Sequence, residues 1–109
     1  MATTRKILGQ VQSGAGADAT LYTVPASTDT VVSTIVICET NGVAGTFKIS
    51  PKTAVATTTA ATAIAWNMPI AANQTITLTL GITLAAANLL VVQGSTANIT
   101  FSAFGQENT

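Results

Sequence analysis

The chain reads as an all-β protein: an antiparallel β-sandwich of about eight short strands, jelly-roll-like in arrangement. Three observations predict this. Thr and Ala make up over a third of the 109 residues, and Thr with Val and Ile is the β-branched vocabulary of pleated sheets. Gln74 to Leu80 alternates without a fault, with Ile76, Leu78 and Leu80 pointing one way and Thr75, Thr77 and Thr79 the other, the mark of a half-buried strand. No amphipathic stripe is long enough for a helix, while turn residues recur between the strand-like runs.

The elements follow in order. Ile7 to Gln12 is a first strand, and Gly14-Ala15-Gly16 turns the chain. Ala19 to Val24 is a second strand, stopped by Pro25. Thr30 to Cys38 is the longest and is apolar on both faces, which predicts cover on both sides by a second sheet or another subunit. After the Asn41-Gly42 turn, Thr46 to Ile49 directs Phe47 and Ile49 inward and Lys48 outward, and Ser50-Pro51 ends it. Ala54 to Ala63 is a loop or a short helix, with Thr57, Thr58 and Thr59 disfavouring helix. Ala63 to Met68 holds the only Trp, and Ala71-Ala72-Asn73 leads into the alternating strand. Ala85 to Asn88 reads as a loop. Leu89 to Gln93 and Asn98 to Phe104 are expected to form a hairpin across Gly94-Ser95-Thr96-Ala97. Strands without helices must cover their apolar faces with one another, hence one double-sheet domain over residues 1–109.

Charge is the second theme. From Thr53 to Gln106, half the chain, there is no charged residue. Charged residues are 7% of the total, against about 25% in ordinary soluble domains. A monomer alone in water needs surface charge to stay apart from its neighbours, so much of this surface is expected to face other protein. That predicts an assembly component and a homo-oligomer. Net charge is zero and Arg5-Lys6 is the only adjacent basic pair, which argues against a nucleic-acid partner. Apolar runs are interrupted well short of the ~18 residues of a membrane span. Met1 to Gln10 has a basic pair but no apolar segment after it, so no secretory leader is expected and the chain is expected to be made in the cytoplasm.

No enzyme is expected. There is no His, and Asp18, Asp29, Glu39 and Glu107 are isolated in sequence, which leaves no obvious acid–base pair. One Cys, no His and no acidic run give no metal set, and no cofactor is expected. Gly14-Ala15-Gly16 lacks the third glycine and the helix of a phosphate loop. Cys38, beside Glu39 in an apolar run, reads as a small buried hydrophobe. Trp66 and Tyr22 could stack on sugar, but a lone Trp in a small β domain is more often core or interface.

Several segments carry a family resemblance: Ile7-Leu8-Gly9-Gln10, Leu21 to Thr28 (LYTVPAST), Val31-Val32-Ser33-Thr34-Ile35, Pro69 to Asn73 with Thr75 to Leu84, and Phe101 to Gly105. Together they resemble a family of small tailed-bacteriophage virion proteins. The resemblance covers nearly the whole chain, least typically from Val43 to Ala65. It implies a β-sandwich virion component without catalysis. The expected role is a capsid cement or decoration protein, often a trimer, on the capsid surface with the phage major capsid protein as partner. The alternative is a tail-, neck- or fibre-associated protein with a receptor or sugar contact near Trp66 and Tyr22. Residues 1–7, short and polar, form a candidate anchoring arm, with Arg5 and Lys6 as candidate capsid-contact residues meeting acidic groups on the capsid protein.

Overall fold

A computed structural model describes residues 2–53 and 60–109. Eight strands form two four-stranded antiparallel sheets: β1 Thr3–Gln12, β2 Asp18–Thr23, β3 Asp29–Glu39, β4 Gly45–Lys52, β5 Ala65–Ile70, β6 Thr75–Leu84, β7 Leu89–Gly94 and β8 Ile99–Asn108. The first sheet runs β1-β8-β3-β6 and the second β2-β7-β4-β5. That is the strand order of a jelly roll, two interlocked Greek keys. The expected all-β sandwich and its strand count stand. Of the Ala54 to Ala63 stretch, positions 54–59 lie outside the described residues, and Ala60–Thr62 is a single 3-10 turn.

The order of the sheets corrects one expectation. β7 and β8 are not a hairpin: β7 sits between β2 and β4, and β8 sits between β1 and β3 in the other sheet. Gly94 to Asn98 therefore carries the chain across the sandwich instead of reversing it within one sheet. The turn residues there read the same in either case, because both need a sharp change of direction.

The core lies between the sheets. Phe47 from β4 and Phe101 from β8 meet edge to face, with ring centroids 6.1 Å apart, and both are fully buried. Ile35, Ile37, Ile49, Leu90, Val92 and Ile99 pack around them with essentially no exposure. Each such side chain contributes about 1.5–3 kcal/mol relative to leaving it in water. These positions follow the period-two alternation along β3, β4, β7 and β8.

A line of bulges crosses the first sheet. The register slips between Ile7 and Gly9 on β1, and between Val32 and Thr34 where β3 pairs with both β8 and β6. On β6 the slip sets Leu80 and Gly81 against the single residue Ser33, with Gly81 at φ +66°. The expected alternation through Leu80 ends there: Ile76 and Leu78 pack on the core, whereas Leu80 is 49% exposed. Bulges bend a strand and re-aim its side chains. Here they divide the first sheet into a part over the core and a far end made of residues 3–7, 104–108 and 29–32.

That far end includes most of the candidate anchoring arm, residues 1–7. From Thr3 onward it is strand, paired residue by residue from Thr3↔Asn108 to Ile7↔Phe104. The main chain of Ala2 also exchanges hydrogen bonds with Thr109, at 3.0 and 2.8 Å. Cys38 differs too. It is half-buried on the outward side of β3, where Thr75 Oγ1 lies 3.6 Å from its sulfur.

Candidate interaction surface

Beyond the core residues Val32 and Leu84, the inward side of the far end carries a polar cluster. Lys6 lies opposite Gly105 and Thr4 opposite Glu107 on the facing strand, so Lys6 and Glu107 share this side. Lys6 Nζ is 3.4 Å from Glu107 Oε1. Tyr22, reaching across from β2, donates its phenolic hydrogen to Glu107 Oε2, and Thr30 Oγ1 lies 2.9 Å from the same phenolic oxygen. Burial, with the Glu107 carboxylate beside it, pushes the Tyr22 hydroxyl up to about 12. The Tyr22 hydrogen bond, aided by Lys6 and opposed by burial, holds the Glu107 carboxyl below the ordinary range. Core aliphatics thus give way to a small charged cluster that ties the two sheets together.

The outward side is different. Arg5 lies opposite Gln106, Gln106 opposite Val31, and Ile7 opposite Phe104. With Ser33 and Gly105 these residues line a shallow groove of about 580 Å³. Ile7 is 53% exposed, and Val31 and Phe104 are half-exposed. Among the described residues no ion pair or hydrogen bond engages the Arg5 side chain. The two candidate contact residues are thus split by strand alternation: Lys6 turns in to an internal partner, and Arg5 turns out beside apolar side chains. Further along, Val36 and Cys38 of β3 remain half-exposed on the outward side, flanked by Ser102 and Thr100 of β8 and by Thr77 and Thr75 of β6. The double-sided apolar character of β3 reflects core on one face and, on the other, a surface that no part of the described chain covers fully.

Two other clusters are structural in geometry. Glu39 is 2% exposed at the end of β3, and its carboxylate accepts from the amides of Asn41 (2.9 Å), Val43 (3.1 Å) and Asn73 (3.4 Å). Burial works against the charge, but these amides and that of Gly42 outweigh it and hold the carboxyl below its usual range. One carboxylate thereby fixes two loops, β3–β4 and β5–β6. Trp66 is 44% exposed on β5, and Lys48 Nζ sits 4.2 Å from its ring centroid, a cation–π contact. Tyr22 is buried in the other cluster, so the two aromatic candidates for a sugar site do not converge. Among the described residues no three His, Cys, Asp or Glu side chains come together.

Two solved viral-particle chains share this fold. Over 97% of its length the chain superposes on a chain of the T13 infectious bursal disease virus particle, with a TM-score of 0.58 and 12% identity. It matches a chain of the Gx strain of the same virus with a TM-score of 0.50, again at 12% identity and 97% coverage. In both cases it spans 30% of the viral chain, so the likeness is to one jelly-roll portion of a larger protein. At this identity the shared property is the fold. No family model matches the chain, and no curated protein does.

Sequence reasoning named Arg5 as a candidate but not the residues that surround it. Val31, Gln106 and Phe104 are distant in sequence and join Arg5 only because β8 lies between β1 and β3. The available signal was the apolar outward side of Thr30 to Cys38.

Proposed function

We propose that this chain is a non-enzymatic virion structural protein, and within that class a capsid cement or decoration protein of a tailed bacteriophage that bridges capsomers by protein contact alone. The observation that carries the reading is the jelly roll that superposes on a viral-particle chain over nearly its whole length. The sequence resemblance to small phage virion proteins and the uncharged half of the chain support it. The groove lined by Arg5, Ile7, Val31 and Phe104 is the capsid-facing surface in this reading, with a major capsid protein presenting an acidic group to Arg5. Many copies on one shell add weak contacts into firm attachment.

A second reading rests on Trp66, an exposed ring beside polar groups on the other sheet: a neck, tail or fibre protein that touches a receptor sugar. Gold-labelled antibody against this chain on intact virions separates the two. Label spread over the head supports the cement role. Label confined to neck, tail or fibre overturns it, and absence from purified particles overturns both.

A further inference from the structure

We propose that β6 is the edge at which two copies of this chain join, antiparallel and about a two-fold axis through Thr77, making one continuous eight-stranded sheet from two four-stranded ones. The inference stands on the edges of the fold and does not depend on the virion reading.

Among the described residues each sheet has two open edges, and open edges attract further strands unless something blunts them. Three of the four are blunted. β1 carries Arg5 and Lys6 and a bulge at Leu8. β2 is six residues long, begins with Asp18 and slips register at Leu21. β5 is also six residues long, contains Pro69, and is kinked where Asn67 takes φ +49°. β6 has none of these over Thr75 to Leu80: no charge, no proline, and unbroken pairing with β3 until the bulge at Gly81.

The free backbone groups of that edge are identifiable. The Glu39 amide donates to the Gln74 carbonyl at 3.0 Å, so Glu39 and Gln74 form a hydrogen-bonded pair. Antiparallel pairs alternate, which makes Ile37↔Ile76 and Ile35↔Leu78 the next bonded pairs and turns the N–H and C=O of Thr75, Thr77 and Thr79 away from β3. A second β6 centred on Thr77 meets all three: Thr77 faces Thr77 of the second copy, and Thr75 faces Thr79. On the inner side Ile76 faces Leu78, and both are half-exposed in the single chain. Hydroxyl meets hydroxyl and aliphatic meets aliphatic, the self-complementarity that a two-fold contact requires. A strand of different sequence would have no charge on this edge to recognise. The geometry is two-fold, whereas the family resemblance implies three-fold order.

The experiment is light scattering on the full chain up to about 1 mM, where even a weak contact is populated, with two variants. Thr77→Lys places a charge against itself across the axis and is expected to halve the mass while leaving the circular dichroism unchanged; Thr20→Lys on the β2 edge is the control and keeps the wild-type mass. In a Cys38→Ser background, Thr77→Cys is expected to oxidise to a disulfide-linked dimer, because bonded antiparallel pairs bring Cα atoms to ~5.5 Å, inside disulfide range. A wild-type chain that stays monomeric throughout, an oligomer untouched by Thr77→Lys, or a trimer that gives no Thr77→Cys cross-link each overturns the proposal.

Discussion

Tyr22 of β2 donates a hydrogen bond to the carboxylate of Glu107 on β8, so one phenol links the two sheets at the end of the sandwich where the aliphatic core has thinned out. Removing that hydroxyl leaves Glu107 with Lys6 as its named side-chain partner and strips Thr30 of its contact. Tyr22→Phe is expected to lower stability by about 1.5–3 kcal/mol, the range for a hydrogen bond to a charged group. Urea denaturation checks this, with the midpoint falling and the slope unchanged.

The same pair sets the pH range of stability. Glu107 and Glu39 have folded pKa values below their unfolded value of 4.5, so their contribution is complete above about 4.5 and is lost as pH falls toward the folded values. Tyr22 has a folded pKa of about 12 against 10.0 unfolded, so its contribution is complete below 10.0 and is lost as pH rises through about 12. Unfolding midpoints are expected to form a plateau that drops below about pH 4.5 and again above about pH 10. Tyr22→Phe, which removes the only tyrosine, flattens the alkaline drop.

Gly9 lies where β1 crosses close to β2. A Cβ there would stand 2.1 Å from the Leu21 carbonyl oxygen, a backbone atom that cannot rotate away. Gly9→Ala is expected to destabilise at or beyond the top of the about 1–3 kcal/mol range for overpacking. Thermal unfolding measures it, and a change of a few tenths would contradict the close approach.

Ser50 presents the opposite case. Its hydroxyl is fully buried on β4 with no hydrogen-bond partner among the described residues. An unpaired buried hydroxyl costs about 1–3 kcal/mol of desolvation, so Ser50→Ala is expected to be neutral or to stabilise by about 1 kcal/mol. A loss of stability in the same denaturation assay would mean that the hydroxyl is satisfied.

Much of the fold is legible in the amino-acid sequence. Strand content, strand number and most boundaries follow from local pattern, because Thr, Val and Ile set the pleat and Gly, Asn and Pro interrupt it. What local pattern misses is pairing. Ile99 to Asn108 reads equally well as the hairpin mate of β7 or as a central strand of the other sheet, and only burial of both faces decides between them. The bulge at Gly81 was hidden for the same reason: Leu80 keeps perfect alternation in the sequence and loses it where β6 must bend past Ser33. The candidate surface was half legible. Arg5 and Lys6 stood out as a basic pair, but adjacent residues on a strand point to opposite sides, and residues 3–7 proved to be strand.

That split gives the charge prediction. Arg5→Glu reverses an exposed cation that has no internal partner among the described residues, and it is expected to leave stability within about 0.5 kcal/mol of wild type, as for ordinary surface sites. In the cement reading it weakens attachment to the capsid, measured by co-sedimentation with particles that lack this protein. Lys6→Glu instead sets two carboxylates together beside Tyr22 and is expected to lower the unfolding midpoint.

The position of β8 has a consequence for how the chain comes to be folded. Strands β1 and β3 flank it, so the sheet is joined through residues 99–108, the eighth strand in chain order. The second sheet is complete in sequence by Gly94, whereas β1 must wait for residues 99–108 to be synthesised before it meets its mate, since Thr3 pairs with Asn108. Such long loop closures are slow. Before β8 is in place the first sheet is β1 on one side and the β3–β6 pair on the other, with a vacant slot between β1 and β3, and residues 99–108 complete it by insertion.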